Sequence, residues 1–109
     1  MAIKKVIKSV RAYLNFLAQQ GIPVSFGVLY GSYAKDKANE WSDIDLLVVS
    51  PEYDSVRTID DYERLWMYAA RTDSRIEPIP VGERQYIEDD SNPVIEIARR
   101  EGQIIPLAE

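Results

Sequence analysis

The chain has neither cysteine nor histidine. Without cysteine there is no disulfide frame, no thiol chemistry and no zinc–thiolate site. Without histidine, a Ser-His-Asp triad and a histidine-rich metal site are both excluded. Any general base is then a carboxylate, a lysine, a tyrosine or a metal-bound water. Positive charge is also scarce: 13 lysines and arginines face 18 acids, for a formal net charge of −5 and a pI of about 4.7. Nucleic-acid affinity rests on neutralising phosphates with lysine and arginine, so no extended nucleic acid is expected as a partner. A single nucleotide or a protein acceptor fits this charge better. No apolar run approaches the ~18 residues of a membrane span. The start, Met1-Ala2-Ile3-Lys4-Lys5, leads into a polar-punctuated helix instead of the apolar core of a signal peptide, so a cytoplasmic location is expected. Internal repeats, linkers and low-complexity segments are absent.

At 109 residues the chain is expected to be one domain, 1–109, with one core of modest size. That length does not accommodate a catalytic domain plus a separate substrate-binding domain. A partner or a self-associated copy would supply the second surface, and a homo-oligomer stays open.

Against these absences stands one dense stretch. Gly31-Ser32 is followed, ten residues later, by Asp43-Ile44-Asp45 and then by Leu46-Leu47-Val48-Val49. The apolar run reads as a strand buried on both faces. Side chains alternate along a strand, so Asp43 and Asp45 point the same way, with Cα atoms roughly 6.6 Å apart. Two like charges on one face destabilise each other unless something positive lies between them. Hard oxygen ligands on a rigid strand suit Mg²⁺. Gly31-Ser32 closes an earlier apolar run, and a glycine and a hydroxyl at a strand-to-helix turn leave backbone N–H groups for an anion such as phosphate. The connection from Gly31 to Trp41 is eleven residues, short of the dozen or more that a parallel crossover usually takes, so an antiparallel or mixed arrangement is favoured. Antiparallel pairing then places Gly31-Ser32 and the two acids at one rim of the sheet.

The rest of the chain supplies the frame. Ile3 to Gln20 reads as a helix, its apolar residues recurring at three- and four-residue steps, with Gly21 and Pro23 as the stop. Val24 to Tyr30 is the first strand and Asp43 to Ser50 the second, ended by Pro51. Ser32 to Asn39 is a short helix or turn whose Lys35 and Lys37 either reach triphosphate oxygens or are simply exposed. Tyr30 either stacks on a base or ribose or packs at the strand end. Pro51 to Arg57 is a loop. Thr58 caps a helix from Ile59 to about Thr72, with Asp60, Asp61 and Glu63 as complements to its N-terminal charge. Its apolar set, Ile59, Tyr62, Leu65, Trp66, Ala69 and Ala70, forms one face. Arg75 to Val81 is the third strand. Pro78 and Pro80 remove the N–H donors from one of its sides, which predicts an edge strand. The helical crossover before it allows parallel pairing with the second strand, and that pairing brings Glu77 close to Asp43 and Asp45. Asp73 is the runner-up for a third acid, and a charge that guards the sheet edge is the plain structural reading of Glu77. Gly82 to Ser91 reads as a mobile loop with at most a turn of helix. Asn92-Pro93 opens a short helix, Val94 to Arg100, and Gln103 to Leu107 is a brief strand or a packed tail.

Gly-Ser, ten residues, then Asp-x-Asp before a β run resembles the signature of the DNA polymerase β-like nucleotidyltransferase superfamily. The short chain is most similar to its minimal nucleotidyltransferase (MNT) group, many of which are encoded beside a HEPN-domain protein as a toxin–antitoxin pair. The resemblance covers roughly Val24 to Val81. It implies an α/β (α+β) fold with a small mixed sheet and helices packed on it. It further implies transfer of a nucleoside monophosphate, AMP from ATP, to a hydroxyl on a HEPN-type partner. Asp43, Asp45 and Glu77 would be catalytic and would hold two Mg²⁺ ions, while Gly31, Ser32 and Lys35 would bind the triphosphate. Relatives often carry a glycine a few residues after Gly-Ser, where this chain has Lys35-Asp36-Lys37. That departure motivates an alternative, an antitoxin-like binding module that neutralises its partner by docking.

Overall fold

The computed structural model describes residues 2–31, 33, 42–55 and 57–107. Helix α1 spans Ala2–Gln19 and buries Val6, Val10, Tyr13, Leu14 and Leu17, the stripe its periodicity foretells. Strand β1, Phe26–Tyr30, pairs antiparallel with β2, Ile44–Ser50. A short 3-10 helix, Pro51–Asp54, then leads to α2, Ile59–Thr72. Strand β3, Ile76–Gly82, lies parallel to β2. Helices α3, Glu83–Glu88, and α4, Pro93–Glu101, follow, and β4, Gln103–Ile105, closes the chain against the free side of β1. The sheet is mixed, in the order β3-β2-β1-β4. The two prolines of β3 thus lie on an edge strand, and its pairing with β2 is the parallel one that the helical crossover allows.

Alternation along the strands sorts the side chains into two layers. Leu29, Ile44, Leu46, Val48 and Ile76 pack under α1 and α2. Val28, Leu47, Val49 and Val81 pack under α3 and α4 with Tyr86, Ile95 and Ala98. The hydroxyl of Tyr13 donates to the Leu65 carbonyl at 2.8 Å and ties α1 to α2. Ser50, fully buried, donates to the Pro23 carbonyl at 2.8 Å and accepts from Glu52 N–H at 3.2 Å, so its burial leaves no polar atom unmatched.

Two elements depart from the sequence reading. The stretch after Gly82 is not a loop but α3. The N-terminal N–H groups of α3 are met from a distance: the Asp54 carboxylate accepts from Arg84 N–H at 3.0 Å and from Gln85 N–H at 3.1 Å. A cap thirty residues upstream leaves no local signal. Gly82 makes room for it, since a Cβ there would collide with the Asp54 carboxylate and lie 2.9 Å from its Cα. The second departure is α2, whose apolar residues split. Leu65 and Ala69 are buried, and Tyr68 meets Phe16 edge to face at 5.4 Å. Ile59, Tyr62, Trp66 and Met67 remain 75%, 43%, 47% and 45% exposed. α2 lies over the edge strand, against α1 and β3, so only the arc toward those elements is covered. No helix among the described residues is long and apolar enough to cross a membrane.

Candidate active site

Gly31 ends β1 with a φ of 76°, a conformation that favours glycine. A Cβ at Gly31 would run into the Asp45 carboxylate, whose Cγ would lie 3.2 Å away. The turn and the acid therefore touch, and the antiparallel register explains why: Tyr30 is the direct partner of Asp45. On the other side of β2, Asp45 is the direct partner of Glu77. Cross-strand partners share a face. Tyr30, Asp45 and Glu77 thus form one row across three strands, all half-buried. The row lies on the face that carries Leu47, Val49 and Val81. Asp43 is exposed just ahead of β2 and shares a side-chain hydrogen bond with Glu77. The sequence's three acids are brought together at one rim.

The electrostatics follow from that crowding. Glu77 is raised above the ordinary carboxylate range by its hydrogen bond to Asp43, then by burial, then by the charges of Asp43 and Asp45. Asp45 is raised by burial and by the Asp43 charge. Tyr30 is pushed up to about 12 by burial and by the neighbouring Asp45 and Glu77 charges. Every one of these influences disfavours added negative charge, the setting in which a cation is bound most readily. Among the described residues no three acids converge tightly enough to form a ready-made metal cage. The donor set is nonetheless hard oxygen on two adjacent strands, which suits a divalent cation.

The alternative third acid, Asp73, is engaged elsewhere. Its carboxylate accepts from Arg75 at 3.1 Å (Nε) and 2.8 Å (Nη2), and from Arg75 backbone N–H at 3.0 Å. The Arg75 side chain holds it below the usual carboxylate range. Arg75 also donates to the hydroxyl of the buried Tyr33 at 3.3 Å. This Asp73–Arg75–Tyr33 chain joins the start of β3 to the turn after Gly31, and sequence reasoning missed it. Its signal was Asp73-x-Arg75, an Asx turn in which the side chain accepts from the backbone two residues on. Ser32, Lys35 and Lys37 lie outside the described residues.

A mixed sheet with helices on both faces defines the fold, and comparison with known proteins supplies the family. A family model described as "Nucleotidyltransferase domain" matches residues 7–105. The chain belongs to this nucleotidyltransferase domain family. Among solved structures it is similar to a protein from Sulfolobus solfataricus provisionally assigned as a nucleotidyltransferase. The TM-score is 0.65 at 16% identity, over 94% of this chain and 80% of that one. At that identity the likeness shows the fold alone. No curated protein matches the chain.

Proposed function

We propose that the chain transfers a nucleoside monophosphate, AMP from ATP, to a hydroxyl on a protein partner, and that it is of the minimal, HEPN-partnered type. The observation that carries this reading is the meeting of Gly31, Asp45, Glu77 and Asp43 at one rim. The acceptor oxygen attacks the α-phosphorus, a new P–O bond forms, the α–β bridge breaks and pyrophosphate leaves. Backbone N–H groups after Gly31, with Ser32 and Lys35, grip the leaving part. Asp43, Asp45 and Glu77 would hold two Mg²⁺ ions. When bound, these supply neutralising charge to the triphosphate and favour ionisation of the attacking hydroxyl. Glu77 takes the hydroxyl proton. Asp45 holds its place because Gly31 leaves room for its carboxylate.

A second reading, docking without turnover, is favoured by Lys35-Asp36-Lys37 standing where members of the resembled superfamily often carry a glycine and by the uncovered apolar residues of α2. One experiment separates the two. The chain is purified with the protein encoded beside it and incubated with Mg²⁺ and α-labelled ATP. Label on the partner, lost in Asp43→Ala with the complex intact, is the expected result. A tight complex with no label contradicts transfer and leaves docking.

A further inference from the structure

Four of the large hydrophobic residues left exposed lie on α2. Ile59, Tyr62 and Trp66 follow at steps of three and four and make a continuous stripe, and Met67 lies off it, in a hollow shared with Asp60, Asp61, Glu63 and Arg64. Tyr62 is also one wall of a cavity of about 300 Å³ at the β3 edge, whose other walls include Leu47, Ile79, Val94 and Arg57. Tyr62 joins the stripe to the cavity. Ile79 lies two residues beyond Glu77 on the same face of β3, so the cavity begins roughly 6.6 Å from the acidic row.

Chemistry gives this surface a direction. In an in-line displacement the attacking and leaving oxygens lie on opposite sides of phosphorus. The leaving pyrophosphate belongs with the Gly31 turn on β1, and the acids lie on β2 and β3. In the strand order β3-β2-β1, the acceptor then enters from the β3 side, where the cavity and the stripe are. Charge gives it a partner. Asp60, Asp61 and Glu63 surround Arg64 beside Met67, and the whole chain carries −5. A second copy would bring like charge, whereas a cationic surface would be drawn in.

We infer that the exposed stripe of α2 and the β3-edge cavity receive an amphipathic helix of a partner protein, its apolar side flanked by lysine or arginine, and that this partner carries the acceptor hydroxyl. In helix-in-groove recognition an amphipathic helix lays its apolar face on a hydrophobic surface of this kind. The last clause rests on the transfer reading above, and the docking stands without it.

The test uses two fluorescent synthetic peptides with one leucine stripe and a terminal serine, one flanked by lysines and the other by glutamates. Anisotropy should show the lysine-flanked peptide binding the intact chain at least about tenfold tighter. Trp66→Lys should weaken it by about tenfold or more with the melting temperature kept, and Met67→Lys should do the same. Ile104→Ser, on exposed β4 at the opposite edge, should leave binding unchanged. Equal binding of the two peptides, or binding that survives both lysine substitutions, overturns the docking. So does a concentration-dependent dimer of the chain alone that Trp66→Lys abolishes, since the occupant is then a second copy. With α-labelled ATP and Mg²⁺, label should reach the lysine-flanked peptide and fall with Trp66→Lys. Binding without label defeats the transfer reading alone, and label indifferent to Trp66→Lys defeats the docking alone.

Discussion

The two faces of the sheet are built from alternate residues of the same strands, yet they end differently. Under α1 and α2 lies a closed layer of sixteen buried residues, and stability is concentrated there. Under α3 and α4 lie seven, and that layer stops short of the rim, where Tyr30, Asp45 and Glu77 stand half-buried. A β-strand of alternating residues can serve a core and a reactive row at once, provided the helices on one side are too short to cover the whole face. Like charges gathered at that open end cost stability, and the closed face carries the load.

The largest effect should come from the open end. Asp45→Ala is expected to lower label transfer by roughly a hundredfold or more, through the loss of several kcal/mol of charge stabilisation, while far-ultraviolet circular dichroism stays unchanged. The closed face should respond in the opposite sense. Leu14→Ala, at a fully buried position, is expected to cost ~3 kcal/mol in urea unfolding, against ~1 kcal/mol for Ile79→Ala on the half-buried open side. Equal losses at the two positions would erase the distinction.

Much of this contrast was legible in the sequence. The Gly31-to-Trp41 spacer is shorter than a usual crossover, which favoured antiparallel pairing and a shared rim. Pro78 and Pro80 marked β3 as an edge, and Glu77, Ile79 and Val81 were left to pair with β2. Asn92, whose side chain accepts from Val94 N–H at 3.0 Å, announced α4. What was hidden depends on contacts distant in sequence. The cap of α3 comes from Asp54, and the Arg75 that engages Asp73 is itself tied to Tyr33, forty-two residues earlier. Periodicity drew one apolar face on α2, but periodicity does not say how much of that face a neighbour covers.

A smaller effect sharpens the point about α3. Asp54→Ala should cost ~1 kcal/mol, as the loss of an N-cap does, and should fray the helix that roofs the open layer. Amide exchange in Arg84 and Gln85 is the measure, and unchanged protection there would contradict the distant cap.

The smallest effect is electrostatic. Glu77 and Asp45 have folded-state pKa values above their unfolded ones. The folded chain therefore binds more protons across that interval, and stability falls as pH rises from the ordinary carboxylate range through the raised values. Glu77→Gln retains a donor for Asp43 and removes a charge. Its melting temperature should exceed that of the wild type at neutral pH, and the gap should close on acidification. A gap that widens in acid would reverse the sign.

The most direct test of the central claim uses Mn²⁺ as a paramagnetic probe at neutral pH with a non-hydrolysable nucleoside triphosphate. Amide signals should broaden first at Gly31, Asp43, Asp45 and Glu77, and the broadening should vanish in Asp45→Asn. Broadening centred instead on the acids around α3, Asp54, Glu88 and Asp89, or none at the rim, would contradict it.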